Sequence, residues 1–315
     1  MNLFKFLRSK IYSLLKIFTE IFLRISFKLR LASFISNTII NLRHRANDNQ
    51  NYNNIIEKLK LSKKITMLDV GASDFDFKFH FPKKYEKYFE AILVEPHKKS
   101  ASKLKEKFVV IDKALWSSNC RKTLYIPENK KSASSFYKPS IPGFEIYNPS
   151  DNFLLQTKIH EELTDCTTIS ESLNNLNKKS LDYLKIHAQG SEYEILKGIG
   201  SFRPLMIKAT IQVTGQYEGV PFWGETLNLL NKLGYMICSW ENAGGHSTHS
   251  FIQMHITFIP NYLTETGKKI FENKLDQFIF LLLISGQISL LKIISKQNNF
   301  SINNYISNLE DKFFY

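Results

Sequence analysis

Cysteine is scarce in this chain. Its 315 residues hold three, Cys120, Cys166 and Cys238, widely spaced and without a C-x-x-C pair. That excludes a disulfide framework and a structural zinc knot, and it points to reducing surroundings. Neither a G-x-x-x-x-G-K-S/T loop nor a G-x-G-x-x-G turn occurs, which disfavours ATP, GTP and dinucleotide sites. Cys/His fingers are missing, as is the aromatic and glycine pattern of a single-strand RNA module, so the net charge of +13 does not by itself indicate a nucleic-acid partner. Acids are nearly absent from residues 1–45, where nine Lys or Arg face the single Glu20, a net of +8. The same stretch lacks the roughly 20 uninterrupted apolar residues of a membrane span. It also lacks the small-residue cleavage site of a secretory signal.

What that stretch does have is an apolar stripe of helical period, from Leu3 and Leu7 through Phe18 to Leu29, with most of its basic residues off the stripe. Such a helix lies on an anionic membrane surface, or else docks on the protein's own body or a second subunit. Residues 1–50 are therefore read as a basic amphipathic segment and linker, Asn-rich towards its end. Residues 51–260 form the main domain, and 261–315 an apolar helical extension. Phe278 to Ile294 is strongly apolar, but Gly286, Gln287 and Lys292 keep it short for a span. It is expected to join the N-terminal helix in a hydrophobic platform or to fill a homodimer interface. Together these features predict a cytoplasmic protein, peripheral on the inner face of a membrane.

Between the two ends, strand-like and helical stretches alternate. ITMLDV, EAILVEP, FVVIDKALW, LDYLKI, LMIKATIQV, YMICSW and FIQMHITFI read as strands, and KSASKLKEK, SEYEILKGI and WGETLNLLNKLG as helices. Buried strands alternating with helices predict an α/β fold with a Rossmann-like, mostly parallel seven-stranded sheet. The last two strands have no helix between them and are expected as one antiparallel hairpin at an edge. Residues 117–170 interrupt the pattern with a hairpin around RKTLYIP and a Ser, Pro and Asn-rich stretch. An insertion of that length shapes a substrate site over the strand ends, or else is a plain surface excursion.

The polar residues at the strand ends carry the chemistry. LDVGA closes the first strand: the Asp-x-Gly-Ala turn makes Asp69 a polar anchor and brings the backbone at Gly71 and Ala72 close to a ligand. Glu95 ends the second strand, where an acid accepts hydrogen bonds from both hydroxyls of a ribose. Asp112, in the third, either meets an adenine amino group or caps a turn. Ribose and adenine contacts without a phosphate loop point to a nucleoside cofactor lacking pyrophosphate, of which S-adenosyl-L-methionine is the common one.

The ordered series LDVGA, LVEP, DKAL, SASSF and LDYLKIHAQGSEYEILKG resembles the FkbM-like family of S-adenosylmethionine-dependent methyltransferases over residues 60–260. The most specific piece is Lys185, Ile186, Gln189, Gly190, Glu192, Leu196 and Gly198. The resemblance implies transfer of a methyl group to a hydroxyl of a sugar, glycolipid or related small acceptor. It also implies that Asp69 and Gly71 line the methionine side of the cofactor while Glu95 takes the ribose. The chain departs from the family's pattern in three places. Ser73 to Asp76 stand where a second glycine is usual, His187 where an Asp is usual, and Lys208 and Thr210 where a Glu is usual. These changes keep a second reading open, a catalytically inactive methyltransferase-like scaffold or a glycan- or lipid-binding protein.

Methyl transfer to oxygen needs an aligned acceptor and a destination for one proton. Histidine suits that proton, with an ordinary pKa of about 6.5. His187 is therefore the expected general base, with Glu192 orienting it or the acceptor and Gln189 holding a substrate hydroxyl or an edge of the cofactor. The alternative is that His187 only fills its position. His246 and His249, in a Gly-rich turn, read as ordinary loop or acceptor-binding residues, and no metal site is assigned. His255 alternates with Met254 and Ile256 and so points from the opposite sheet face.

Overall fold

The computed structural model describes residues 63–73, 75–147, 157–243 and 252–298, with Phe18, Leu59, Leu61, Phe300 and Ile302 besides. The chain divides into two compact units, Met1–Asn54 with Glu310–Tyr315, and Ile55–Leu309. In the first unit only Phe18 is described, helical and exposed. The expected stripe over residues 3–29 otherwise lies outside the described residues.

The second unit runs β1 (Ile65–Val70), β2 (Phe89–Val94), α1 (Lys98–Lys105), β3 (Val109–Ile111), β4 (Ala114–Leu115) and β5 (Cys120–Pro127). It continues with α2 (Ile141–Tyr147), β6 (Ile159–Thr167), α3 (Ile169–Asn175), β7 (Tyr183–Ile186), α4 (Glu192–Lys197) and β8 (Met206–Gln212). After these come α5 (Trp223–Lys232), β9 (Tyr235–Asn242), β10 (Gln253–Pro260), α6 (Glu265–Phe271), α7 (Leu275–Ile284) and α8 (Ile288–Gln297). Seven strands form one sheet in the order β3-β2-β1-β7-β8-β10-β9. All its neighbours are parallel except at β10, which runs antiparallel to both β8 and β9. The mostly parallel seven-stranded sheet and its antiparallel edge are as the sequence predicts.

FVVIDKALW is not one strand. It breaks at Asp112 and Lys113, and β4 leaves for a second, three-stranded sheet of order β4-β6-β5. The partner of RKTLYIP is likewise not an adjacent hairpin arm but β6, paired from Cys120 with Cys166 to Pro127 with Ile159.

The two faces of the main sheet differ sharply, because side chains alternate along each strand. One face presents Leu68, Val70, Leu184, Ile186, Ile207 and Ile256, which pack against Ile169 and Leu173 of α3, Ile195 and Leu196 of α4 and Leu230 of α5. On the other lie Asp69, Lys185, His187, Lys208, Thr210 and His255. The carboxyl ends of β1, β7 and β8 and the amino end of antiparallel β10 remain open on that face. Farther down it, Ser285 at the end of α7 reaches Met206 of β8, and Lys274 just before α7 pairs with Asp182 at 2.7 Å.

The apolar C-terminal run is not a platform. From Phe278 to Ile284 every side chain is at most 2% exposed, and Phe280 meets the rings of Tyr85, Tyr88 and Phe89. A helix that is apolar all round is a core helix. Among the described residues, no helix is long and apolar enough to cross a membrane.

Candidate active site

The turn after β1 is built against the turn after β7. Gly71 has φ of +80°, and a Cβ there would strike the carbonyl oxygen of His187. The backbone N–H of His187 in turn donates to the Val70 carbonyl at 3.0 Å, while Gly71 and Ala72 both donate to Val94, each at 3.2 Å. Glycine is thus required by the neighbouring backbone, where the sequence assigned its bareness to an approaching ligand. Asp69, 2% exposed, is held between Lys185 at 2.8 Å and His80 at 3.0 Å. The hydroxyl of Tyr183 contacts the other nitrogen of His80 at 3.4 Å. His80 lies four residues beyond the segment that replaces the usual second glycine, and no strand or helix pattern marked it.

The turn after β7 carries two positive φ angles, +50° at Gln189 and +99° at Gly190. Glu192 braces it: its carboxylate accepts from the N–H of Ala188 at 2.8 Å and of Gly190 at 2.9 Å. Burial raises this carboxyl to about 7 against those hydrogen bonds. Glu192 therefore orients the turn rather than a base or an acceptor, and it does not line the cavity.

Gln189 ties this turn to the insertion and fixes the tautomer of His187. Its amide nitrogen faces the Ser132 carbonyl, which can only accept, at 3.2 Å. The same nitrogen lies 3.2 Å from Nε2 of His187. A donor there requires Nε2 to be the unprotonated nitrogen, so the ring proton sits on Nδ1. Burial, with Lys185 next in weight, lowers His187 to about 3. The expected general base is thus neutral, and its basic nitrogen is already engaged by Gln189. Six ångströms away stands the histidine that the sequence left aside. The rings of His187 and His255 are 6.1 Å apart, and Nδ1 of His255 meets Oγ1 of Thr210 at 2.9 Å. Burial and Lys208 lower His255 to about 4.

These groups surround a cavity of about 490 Å³ at the carboxyl ends of β1, β2, β7 and β8, within the range of small-molecule sites. Glu95, 6% exposed, lines it from the end of β2, with one carboxylate oxygen accepting from the N–H of His97 at 2.8 Å. The insertion supplies an apolar wall of Leu124, Ile126 and Phe136 together with Ser132 and Ser135. Ser135 donates to the carbonyl of Gln189 at 2.7 Å, and Tyr217 donates to that of Ala133 at 2.8 Å, so the wall is fastened to the sheet ends. Phe75 stands edge-on to Phe108 at 5.1 Å and forms part of the wall without filling the space.

Asp69, Gly71, Ala72, Glu95, His187 and Gln189 come together here. Asp112 does not: it is exposed at the break between β3 and β4 and pairs with Lys105 at 2.6 Å, whose hydrogen bond holds its carboxyl below the ordinary range. His246 and His249 lie outside the described residues. His80, Lys208 and Thr210 were not assigned to the site by sequence reasoning. The one available signal was the alternation along β8 and β10, which puts Lys208, Thr210 and His255 opposite the apolar face.

A doubly wound sheet with a ligand-sized cavity over its strand ends and an acid closing the second strand is a nucleoside-binding architecture, and the family match makes it that of an S-adenosylmethionine-dependent methyltransferase. The chain belongs to the family described as Methyltransferase FkbM domain, whose model matches residues 69–237. Among solved structures it is similar to a TehB-like SAM-dependent methyltransferase from Corynebacterium glutamicum ATCC 13032 Kitasato. That match has 8% identity and a TM-score of 0.30, over 72% of this chain and 97% of that one. A precorrin-6y C5,15-methyltransferase from Geobacter metallireducens GS-15 matches with 12% identity and a TM-score of 0.31, over 66% and 86%. No curated protein matches the chain.

Proposed function

We propose that this methyltransferase methylates a hydroxyl oxygen of a sugar, glycolipid or related small acceptor, at a membrane surface. The observation that carries the reading is the single cavity wall that joins buried Glu95 on one side to His187 and His255 on the other. The residues fit the cofactor. Glu95 is a buried acid that would take the ribose hydroxyls, the apolar insertion wall suits a flat base, and Ser73 and Phe75 line the space without filling it. When bound, S-adenosyl-L-methionine supplies an electrophilic methyl group on a positively charged sulfur.

The chain's own work is then to place the acceptor and remove its proton as the new C–O bond forms. His255 suits this better than His187. In the tautomer whose Nδ1–H donates to Thr210, its Nε2 carries the lone pair, and the ring is neutral near pH 7. His187 and Gln189 form the floor beside it. The family's habitual acceptors and the basic N-terminal segment support the sugar or glycolipid acceptor and the membrane surface.

Calorimetry of the full chain with S-adenosylmethionine and its demethylated product tests the first step. Saturable binding is expected, weakened at least tenfold, or about 1.4 kcal/mol, in Glu95→Ala through loss of charge-assisted hydrogen bonds. Heat from neither ligand would sink the reading. A screen of cell-envelope glycolipids with labelled methyl donor then identifies the acceptor. On it His255→Asn is expected to lower kcat about 100-fold, and full activity in that variant would remove His255 from the proton step.

A further inference from the structure

The cavity is electrically divided. Its carboxylates, Asp69, Asp76 and Glu95, come from β1, the segment after it and the end of β2. The strands on the other side, β7, β8 and β10, give it Lys185, His187, Lys208, Thr210 and His255, and no acid. Strand register aligns these side chains: Lys185 is paired with Lys208, and Thr210 with His255. Asp69 is committed to Lys185 and His80. Glu241, paired with His255 across β9, is exposed and outside the cavity wall, and Lys208 acts on His255 more strongly than Glu241 does. A methyl donor that is cationic at sulfur suits the acidic half and is repelled by the lysine half, which suits a group of the opposite sign.

We infer that the acceptor carries an anionic oxygen group, a carboxylate or a phosphate, held over Lys208 and His255 on the β8–β10 side of the cavity. This rests on the O-methyltransferase reading and narrows its acceptor to an acidic one, such as a sugar acid or a sugar phosphate. Lys208 would supply the charge. His255, with Thr210 behind it, would sit between that group and the hydroxyl to be methylated.

The test separates the two claims. Affinity for S-adenosylhomocysteine is measured first on the full chain, and its absence would count against the proposed function alone. Acetate, inorganic phosphate and neutral acetamide are then titrated at ionic strength held constant with chloride, with the His255 ring signal followed by NMR. An anion seated beside His255 is expected to raise its pKa saturably by about half a unit or more, and acetamide to leave it unmoved. Lys208→Gln is expected to abolish the response while S-adenosylhomocysteine affinity stays within about twofold, since Lys208, on β8, stands three strands away from the Glu95 end of β2. A response to acetate alone identifies a carboxylate, and one to phosphate alone a phosphate ester. No saturable shift with either anion, or the same shift in Lys208→Gln, overturns the inference.

Discussion

Burial raises the Glu192 carboxyl from 4.5 to about 7 and lowers His187 and His255 from 6.5 to about 3 and 4, so these groups pull stability in opposite directions with pH. Glu192 keeps its proton in the fold where the unfolded chain has lost it. Its contribution is full below about pH 4.5 and is lost as pH rises through 7. The histidines stay neutral in the fold where the unfolded chain protonates. Their contribution is full above about pH 6.5 and is lost as pH falls towards 4. Replacing Glu192 by Gln removes only the first effect. Thermal unfolding of both proteins from pH 4.5 to 8 is expected to show the variant gaining on the parent as pH rises, by a total of about 3 kcal/mol for a shift of that size. A gap that stays constant with pH would mean that the carboxyl is ionised throughout. The same three residues mark how far a single chain can be read. Glu192 and His187 were visible because a strand ends on them, but their roles were not. Whether a carboxylate at a helix start braces its own turn or faces a ligand depends on two backbone N–H groups, and the tautomer of His187 on a carbonyl 55 residues away, at Ser132. His255 was visible only as a polar residue in an apolar alternation. Nothing in β10 itself says that the polar face is the one left open.

Elements were more legible than contacts. β1, β2, β7 and β8 announce themselves as near-continuous apolar runs because both faces of a parallel sheet are covered, and the edge hairpin followed from the missing helix between β9 and β10. Two inferences that needed a distant partner failed. The run through Asp112 looks like one strand, because only pairing with β6, about 50 residues on, draws β4 away. α7 shows the same limit. Its seven residues from Phe278 to Ile284 are as apolar as a membrane-facing surface, and composition alone does not distinguish that from burial. The surroundings do, since Phe280 packs among Tyr85, Tyr88 and Phe89. Phe280→Ala should therefore cost about 3–5 kcal/mol of stability in denaturant unfolding, as expected of a buried ring. A lipid-facing platform predicts the contrary, stability within about 0.5 kcal/mol of the parent.

For the molecule as a whole, charge is the organising quantity. Of the net +13, +8 belongs to residues 1–45, ahead of the methyltransferase sheet. With Phe278 to Ile284 committed to the core, the basic segment is where the proposed contact with a membrane is tested. Each Lys or Arg near an anionic surface contributes about 1 kcal/mol at physiological salt, and the attraction fades once the screening length falls to a few ångströms. Sedimentation of the full chain with vesicles should accordingly show binding to phosphatidylserine-containing vesicles and none to neutral ones. At roughly 1 M salt, where the Debye length is about 3 Å, most of that binding should be lost. Phe280→Ala should pellet as the parent does under conditions where it remains folded, because the helix it weakens faces the core. Binding to neutral and anionic vesicles alike would reassign the attraction to apolar surface, and no binding to either would take the enzyme off the membrane and leave a soluble acidic sugar as its acceptor.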